Sequence, residues 1–176
     1  MPILAWAGVD LGVEHKRWPD KYDHHFRKYA KHYFGPNVDW RWFKAQGIAE
    51  SNLKPQARSS SGAVGIMQIL PSTYKEIKRS NPQLLGITTP RSNIAAGIYY
   101  DRQMYRRWKD KGFSRDERLA FAFGSYNAGY TRIKNTFQRL DPPEAAWEHV
   151  EHHVPGQTRY SVRRIRRLMD RGGGAG

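Results

Sequence analysis

Apolar and aromatic side chains in this chain recur every three or four residues, in segments cut off from one another by glycine and proline. That spacing gathers them on one face of a helix and leaves little room for a sheet. Tyr22, Phe26, Tyr29 and Tyr33 predict a first helix over about residues 20–33, broken by Gly35, Pro36 and Asn37. Asp39 is placed to cap a second helix that carries Trp42, Phe43, Gln46 and Ile48 toward Glu50. Pro55 disfavours helical geometry at Lys54, so this helix stops just after the glutamate. Pro71, Ser72 and Thr73 open a short third helix with Tyr74 and Ile77 inward. Turn signals at Asn81-Pro82 and Leu85-Gly86 lead to Thr89 and Pro90, a cap followed by proline at the first helical position. The helix after them shows Ile94, Ile98, Tyr105 and Trp108 on one face and ends before Gly112. Ser114 and Glu117 have the spacing of a capping box, ahead of Leu119, Ala122, Phe123, Tyr126 and a closing Gly129. Asp141, Pro142, Pro143 and Glu144 repeat that cap logic for a short segment through Trp147. Pro155 and Gly156 make the last break, before a final helix striped by Val162, Ile165, Leu168 and Met169. With no internal repeat and no run of period two, the expected fold class is all-α, predominantly helical.

At 176 residues the chain suits one domain with a core of its own. Residues 1–19 lack periodicity and are expected to form an irregular arm. Residues 20–170 make the folded domain, and residues 171–176 a flexible glycine-rich tail. There is no cysteine, so neither disulfides nor thiolate-bound metal can hold the chain together. Thirty Lys and Arg against sixteen Asp and Glu give a formal charge of +14. Such an excess favours polyanionic surroundings: nucleic acid, anionic lipid or an acidic cell-wall polymer. No apolar run reaches the roughly 18 residues that a membrane span needs. Residues 3–13 are weakly apolar but carry Asp10 and follow no basic residue, so they do not read as a signal peptide.

Chemistry concentrates near Glu50. An apolar run precedes it, a polar loop punctuated by Gly62 and Gly65 follows, and a second apolar stretch covers residues 66–70. A carboxyl group with apolar neighbours holds its proton to higher pH and can serve as a general acid. A lone glutamate at a helix end is more often a solvated surface residue, so the reading depends on what surrounds it. His149, His152 and His153 could share a helix face, but their order matches no metalloprotease motif. A solvated or core-satisfied cluster is expected there, with no metal. His24 and His25 are adjacent and expected to point to different faces. There is no G-x-S-x-G elbow, and Gly62-x-x-Gly65 is too short for a phosphate loop. Five arginines between Arg159 and Arg167 surround the stripe of the final helix. They fit either a nucleic-acid footprint or a solvated face able to rest on any polyanion.

Three blocks of sequence carry a resemblance. They are Glu50-Ser51, the run from Gly62 through Gly65, Met67, Gln68 and Pro71 to Thr73, and Ala122-Phe123-Gly124-Ser125-Tyr126-Asn127-Ala128-Gly129. In order and spacing they resemble the signature motifs of lytic transglycosylases. The likeness runs from about Tyr22 to Met169, and residues 93–100 are similar to a further family helix. It is nearest the soluble-type catalytic domain, which also occurs in membrane-bound members and phage lysins. Two departures, Phe123-Gly124 in place of alanines and Leu70 in place of a frequent methionine, are expected to alter pocket shape more than chemistry.

The resemblance implies a single lysozyme-like domain with a cleft, in the α+β lysozyme-like superfamily but predominantly helical, with residues 20–170 as its catalytic domain. It implies cleavage of the β-1,4 bond between N-acetylmuramic acid and N-acetylglucosamine in peptidoglycan, leaving a 1,6-anhydromuramoyl end, with no cofactor. Glu50 becomes the catalytic acid, working without a carboxylate partner because the substrate's acetamido oxygen supplies the nucleophile. Ser59, Gln68 and Asn127 are expected to hydrogen-bond the glycan, Met67 and Leu70 to line its apolar side, and Gly62 and Gly65 to let the loop approach the sugar. Tyr126 and Tyr160 are expected near the cleft, with packed core tyrosines as the alternative, and Ser51 in a helix-end hydrogen bond. Expected partners are peptidoglycan strands and, through the basic face, anionic envelope polymers. No nucleic acid is expected, and the chain should be a monomer. Its place is the bacterial wall, in a phage endolysin or virion-associated role or a remodelling one. A goose-type lysozyme, which adds water to the same bond, and a non-catalytic basic binding protein remain the alternatives.

Overall fold

The first two helices form close to where local signals put them. Helix α1 (Asp23–Phe34) buries Phe26, Tyr29 and Ala30, and α2 (Arg41–Ser51) buries every residue from Phe43 to Ile48. Asp39 does not occupy the N-cap itself, which falls to Trp40, but its carboxylate accepts the Arg41 backbone N–H at 3.0 Å and its guanidinium at 2.8 Å. The anion is therefore seated at the helix start, where the dipole favours it. Lys44 is buried on α2 and neutralised by Asp23 of α1 at 2.7 Å, which ties the two helices together. Asn52 and Leu53 both adopt left-handed geometry and end α2, two residues ahead of Pro55.

The computed structural model describes residues 11–140 and 146–171. Beyond α2 its helices are α3 (Pro71–Ser80), α4 (Pro90–Arg107), α5 (Arg115–Ala128), α6 (Tyr130–Arg139), α7 (Trp147–Val150) and α8 (Gly156–Asp170), with a 3-10 turn at Glu151–His153. Pro71 and Pro90 each stand at a helix start, although the Thr89 hydroxyl makes no capping bond. Ser114 accepts from the Glu117 N–H at 3.2 Å. The returning half of that capping box is given up, because the Glu117 carboxylate instead accepts from the Trp147 N–H and from Arg166. The cap expected over residues 141–144 lies outside the described residues.

Helix α5 is the centre of the packing, with α4, α6 and α8 against it. Trp108 and Phe121, ring centroids 4.7 Å apart, head an aromatic cluster that also takes in Phe113, Phe137 and Trp147. The sequence reading assigns no element to residues 130–140. Yet Tyr130, Ile133 and Phe137 have helical spacing, and α6 lays Ile133 and Phe137 onto that cluster. Among the described residues there is no extended strand, only the isolated bridges Arg58↔Val64 and Val64↔Ile69.

The arm is irregular over its described residues, 11–19, and it is anchored, since Val13 is fully buried and its N–H donates to the Leu168 carbonyl at 2.9 Å. Two expectations, on the paired histidines and on the arginines of α8, need correction. The His24 and His25 rings do not diverge; their centroids lie 3.8 Å apart. The arginines of α8 are not simply a solvated face. Arg163 pairs with Glu151 at 2.7 Å, Arg166 with Glu117 at 3.2 Å, and Arg164 donates to the Asn52 side chain at 2.6 Å. Helix α8 crosses α2 and α5 closely enough for its charged edge to reach their ends, so three of the five serve the fold.

Candidate active site

A cleft of about 390 Å³ opens between the loop of residues 52–70, the end of α2 and the last turn of α5. Glu50 is the one acidic side chain among the described residues that line it. Glu50 is half-buried as a residue, and protein crowds its carboxyl. The lost hydration pushes its pKa from an ordinary 4.5 up to about 7, only weakly opposed by Ser161, whose hydroxyl donates to Oε1 across a long 3.5 Å. Any reaction that uses Glu50 as proton donor should then hold its kcat/KM below about pH 7 and lose about tenfold per unit above it. A rate still climbing between about pH 8 and 9 would remove Glu50 from that role.

The loop wall is rigid for a reason the sequence conceals. Asn93 of α4, fully buried, accepts the Met67 N–H at 2.7 Å and donates to the Val64 and Ile87 carbonyls at 3.0 and 2.8 Å. Gly65, at φ +82°, permits that clamp, because a Cβ there would stand 2.4 Å from the Asn93 amide nitrogen. Gly65 thus admits Asn93 rather than a sugar, while the exposed Gly62 turns the loop at φ +87°. Ser51 fastens the base of the loop, donating to the Ile66 carbonyl at 2.8 Å, a helix-end role as expected. Tyr126 closes the opposite side: its hydroxyl donates to the Met67 carbonyl at 2.7 Å and ties α5 to the loop.

Ser59, Gln68, Leu70, Tyr126 and Asn127 come together with Glu50 in the cleft. Leu70 is 42% exposed and supplies an apolar rim. Gln68, in left-handed geometry, spends its amide N–H groups on the Ala57 and Gly65 carbonyls, which leaves its carbonyl oxygen to face a ligand. Asn127 is the converse: its Oδ1 accepts from Thr158 at 2.7 Å, which leaves its N–H groups as donors. Met67 does not line the cleft. Its side chain is fully buried and packs into the space Gly97 leaves, where a Cβ would meet it at 2.7 Å. Tyr160 is 56% exposed on α8 and is absent from the cleft lining.

Tyr100, Thr73 and Gln157 line the cleft without having been singled out from sequence. Tyr100 belongs to the helix block of residues 93–100, and its ring lies 5.2 Å from that of Tyr126, so that block carried a signal for it. Asp101 carried none. Fully buried on α4, it accepts from the Gln46 amide at 3.0 Å, while its Oδ2 and the Gln46 Oε1 are left without partners. Burial pushes its pKa well above the carboxylate range, with the Glu50 charge adding to the rise. A retained proton makes one of two orphaned acceptors a donor, which is how a buried acid beside an amide becomes satisfied. Among the described residues no group of three or more His, Cys, Asp or Glu side chains is arranged to hold a metal ion.

Comparison with known proteins fits this arrangement. The chain is 31% identical over 160 residues to membrane-bound lytic murein transglycosylase F of Pseudomonas putida, covering 87% of this chain and 30% of that protein. It is 29% identical over 154 residues to the protein of the same name from Vibrio campbellii, covering 79% of this chain and 26% of that one. The chain therefore spans between a quarter and a third of the length of these relatives. Among solved structures, an inactive mutant of the lytic transglycosylase Slt from Pseudomonas aeruginosa superposes with a TM-score of 0.71 at 25% identity, over 86% of this chain and 24% of that one. The 70 kDa soluble lytic transglycosylase of Escherichia coli shares the fold, with a TM-score of 0.65 at 23% identity, over the same 86% and 24%. The fold is thus the helical, lysozyme-like one of the soluble lytic transglycosylases. The family model described as the transglycosylase SLT domain matches residues 26–146, well over half of the sequence, and the chain belongs to that family.

Proposed function

We propose that this domain, over residues 20–170, is a peptidoglycan lytic transglycosylase with Glu50 as its acid and base. The observation that carries the reading is the state of Glu50: the one acidic side chain among the described residues that line the cleft, with its pKa raised by burial to about 7. Glycosidases that add water ordinarily use two ionisable carboxyls. A site with one suits a nucleophile drawn from the substrate.

In this route Glu50 gives its proton to the glycosidic oxygen as the bond to the anomeric carbon of N-acetylmuramic acid breaks. The acetamido oxygen of the same sugar attacks that carbon and holds the positive charge as an oxazolinium ring. Glu50, now a carboxylate, takes the proton of the C6 hydroxyl. The C6 oxygen bonds to the anomeric carbon, the acetamido oxygen leaves, and the 1,6-anhydro ring closes with no water consumed. A pKa near 7 suits both halves, since the group must give and take a proton at one pH. In the same reading Asn127 donates to the sugar, Gln68 and Ser59 hydrogen-bond it, Leu70 packs on its apolar face, and Tyr126 fixes the loop against the anomeric centre. The net charge of +14 supports attraction to anionic envelope polymers, in keeping with work at the bacterial wall.

Digestion of purified sacculi followed by mass spectrometry of the fragments tests this. The expected products are anhydromuropeptides, each lighter by one water than a lysozyme product. Hydrated ends would reassign the site to goose-type hydrolysis, and intact sacculi would leave only a binding role.

A further inference from the structure

A second groove, of about 670 Å³, joins the cleft on the side away from the loop. Its walls are the second half of α4 and the length of α6, and it shares Tyr100, Ala128 and Gly129 with the cleft, so an occupant of one can continue into the other. Arg107, Arg132 and Arg139 line it, and no acidic side chain is among the described residues that do. Arg107 is held in place over the Tyr130 ring, 4.9 Å from its centroid. The groove floor is the buried Met104, and Asn135 and Thr136 add polar edges. Three guanidinium groups around one concavity repel one another unless an anion lies between them, and guanidinium groups match carboxylates two bonds at a time. The volume is too large for a single ion and suits a short peptide.

We infer that the groove between α4 and α6 binds the carboxylate-bearing peptide stem of a muramoyl residue whose glycan lies in the cleft. The inference rests on the transglycosylase reading for the identity of that glycan. Phosphate groups of wall polymers share the anionic chemistry, but a polymer joined at C6 blocks the hydroxyl that closes the anhydro ring, whereas the stem, carried on C3, is continuous with a sugar that can react. The arginines are exposed on helix surfaces, so replacing them leaves the core untouched. They then act on selection: the stem adds contacts to the substrate that bare glycan cannot make.

The test compares kcat/KM on glycan strands that keep their stems with strands stripped by an amidase, for the wild type and for Arg132→Gln/Arg139→Gln. The ratio between the two substrates should favour stem-bearing strands about tenfold in the wild type and approach unity in the double variant. A ratio near unity in the wild type, or one that the double substitution leaves unchanged, overturns the inference. A binding arm is independent of turnover. Glu50→Gln protein should bind a muramoyl tripeptide about tenfold more tightly than the same protein with both arginines replaced; equal affinities overturn it. If glycerol phosphate oligomers compete for the groove through Arg132 and Arg139 while the tripeptide does not bind, phosphate is the ligand and the stem assignment is wrong. Failure of both substrates to be cut, with arginine-dependent tripeptide binding intact, would sink the catalytic reading and leave the groove standing.

Discussion

Glu50→Gln is expected to lower the rate of anhydromuropeptide release by about 10³-fold or more, because the amide can neither give nor take the proton. The same substitution should stabilise the fold at high pH, which separates loss of chemistry from loss of structure. Glu50 has its folded pKa raised to about 7 from an ordinary 4.5, so the native state binds more protons than the unfolded chain between those values. The wild type is therefore most favoured by this group below about pH 4.5 and loses stability as the pH rises through 7, by up to about 3 kcal/mol. Glutamine has no ionisation to suppress. Denaturant titrations at about pH 5 and pH 9 should show the variant gaining on the wild type only at the higher pH. Residual release above about a tenth of the wild-type rate, or a gain equal at both pH values, would rule out a buried acid at this position.

Gly124→Ala should be the most damaging single-methyl change in the helical core. A Cβ there would lie 2.3 Å from the Trp147 indole, whose ring is fully buried and has nowhere to retreat. Overpacking of that severity costs roughly 3 kcal/mol, a fall of about 6–12 °C in Tm for a domain of this size. The cause can be isolated by shrinking the ring. Trp147→Phe should be destabilising alone yet should relieve part of the Gly124→Ala cost, giving a double-mutant coupling of at least about 1 kcal/mol. Additive costs, or a loss below about 0.5 kcal/mol for Gly124→Ala, would show that the indole is not what excludes a side chain. Gly124 is one of the two departures from the motif this sequence resembles. Gly124 lies against Trp147 rather than the cleft, so what the glycine adjusts is core packing, not pocket shape.

Most helix positions were legible in the sequence because helix ends are local events. Asp39, Pro71, Pro90, Ser114 and Pro155 act within a residue or a turn of themselves, and a chain segment carries that information wherever it is placed. The acid was legible for a related reason: Glu50 ends an apolar helix ahead of a glycine-punctuated loop, and both flanks are read directly. What failed was the direction of individual side chains. Met67 sits in the same motif as Gln68 and Leu70, yet it turns into the core because Gly97, on another helix, leaves a space shaped for it. Gly65 has its conformation and its neighbour dictated by Asn93, and Tyr160 faces solvent because α8 buries its Val162 and Ile165 stripe instead.

The sequence by itself determined most of the helices, the loop and the presence of a glutamate between an apolar run and a polar one, since periodicity, caps and breaks depend on near neighbours alone. Only the tertiary structure decided that Glu50 is enclosed enough to hold a proton near neutral pH, and that Asp101 is buried against Gln46 with its pKa pushed up. It also decided that three arginines from α4 and α6 share one concavity beside the cleft. Proton affinity and field strength depend on which distant groups displace water from a site, and that is settled when α2, α4, α5, α6 and α8 pack, not by the order of residues along any one of them.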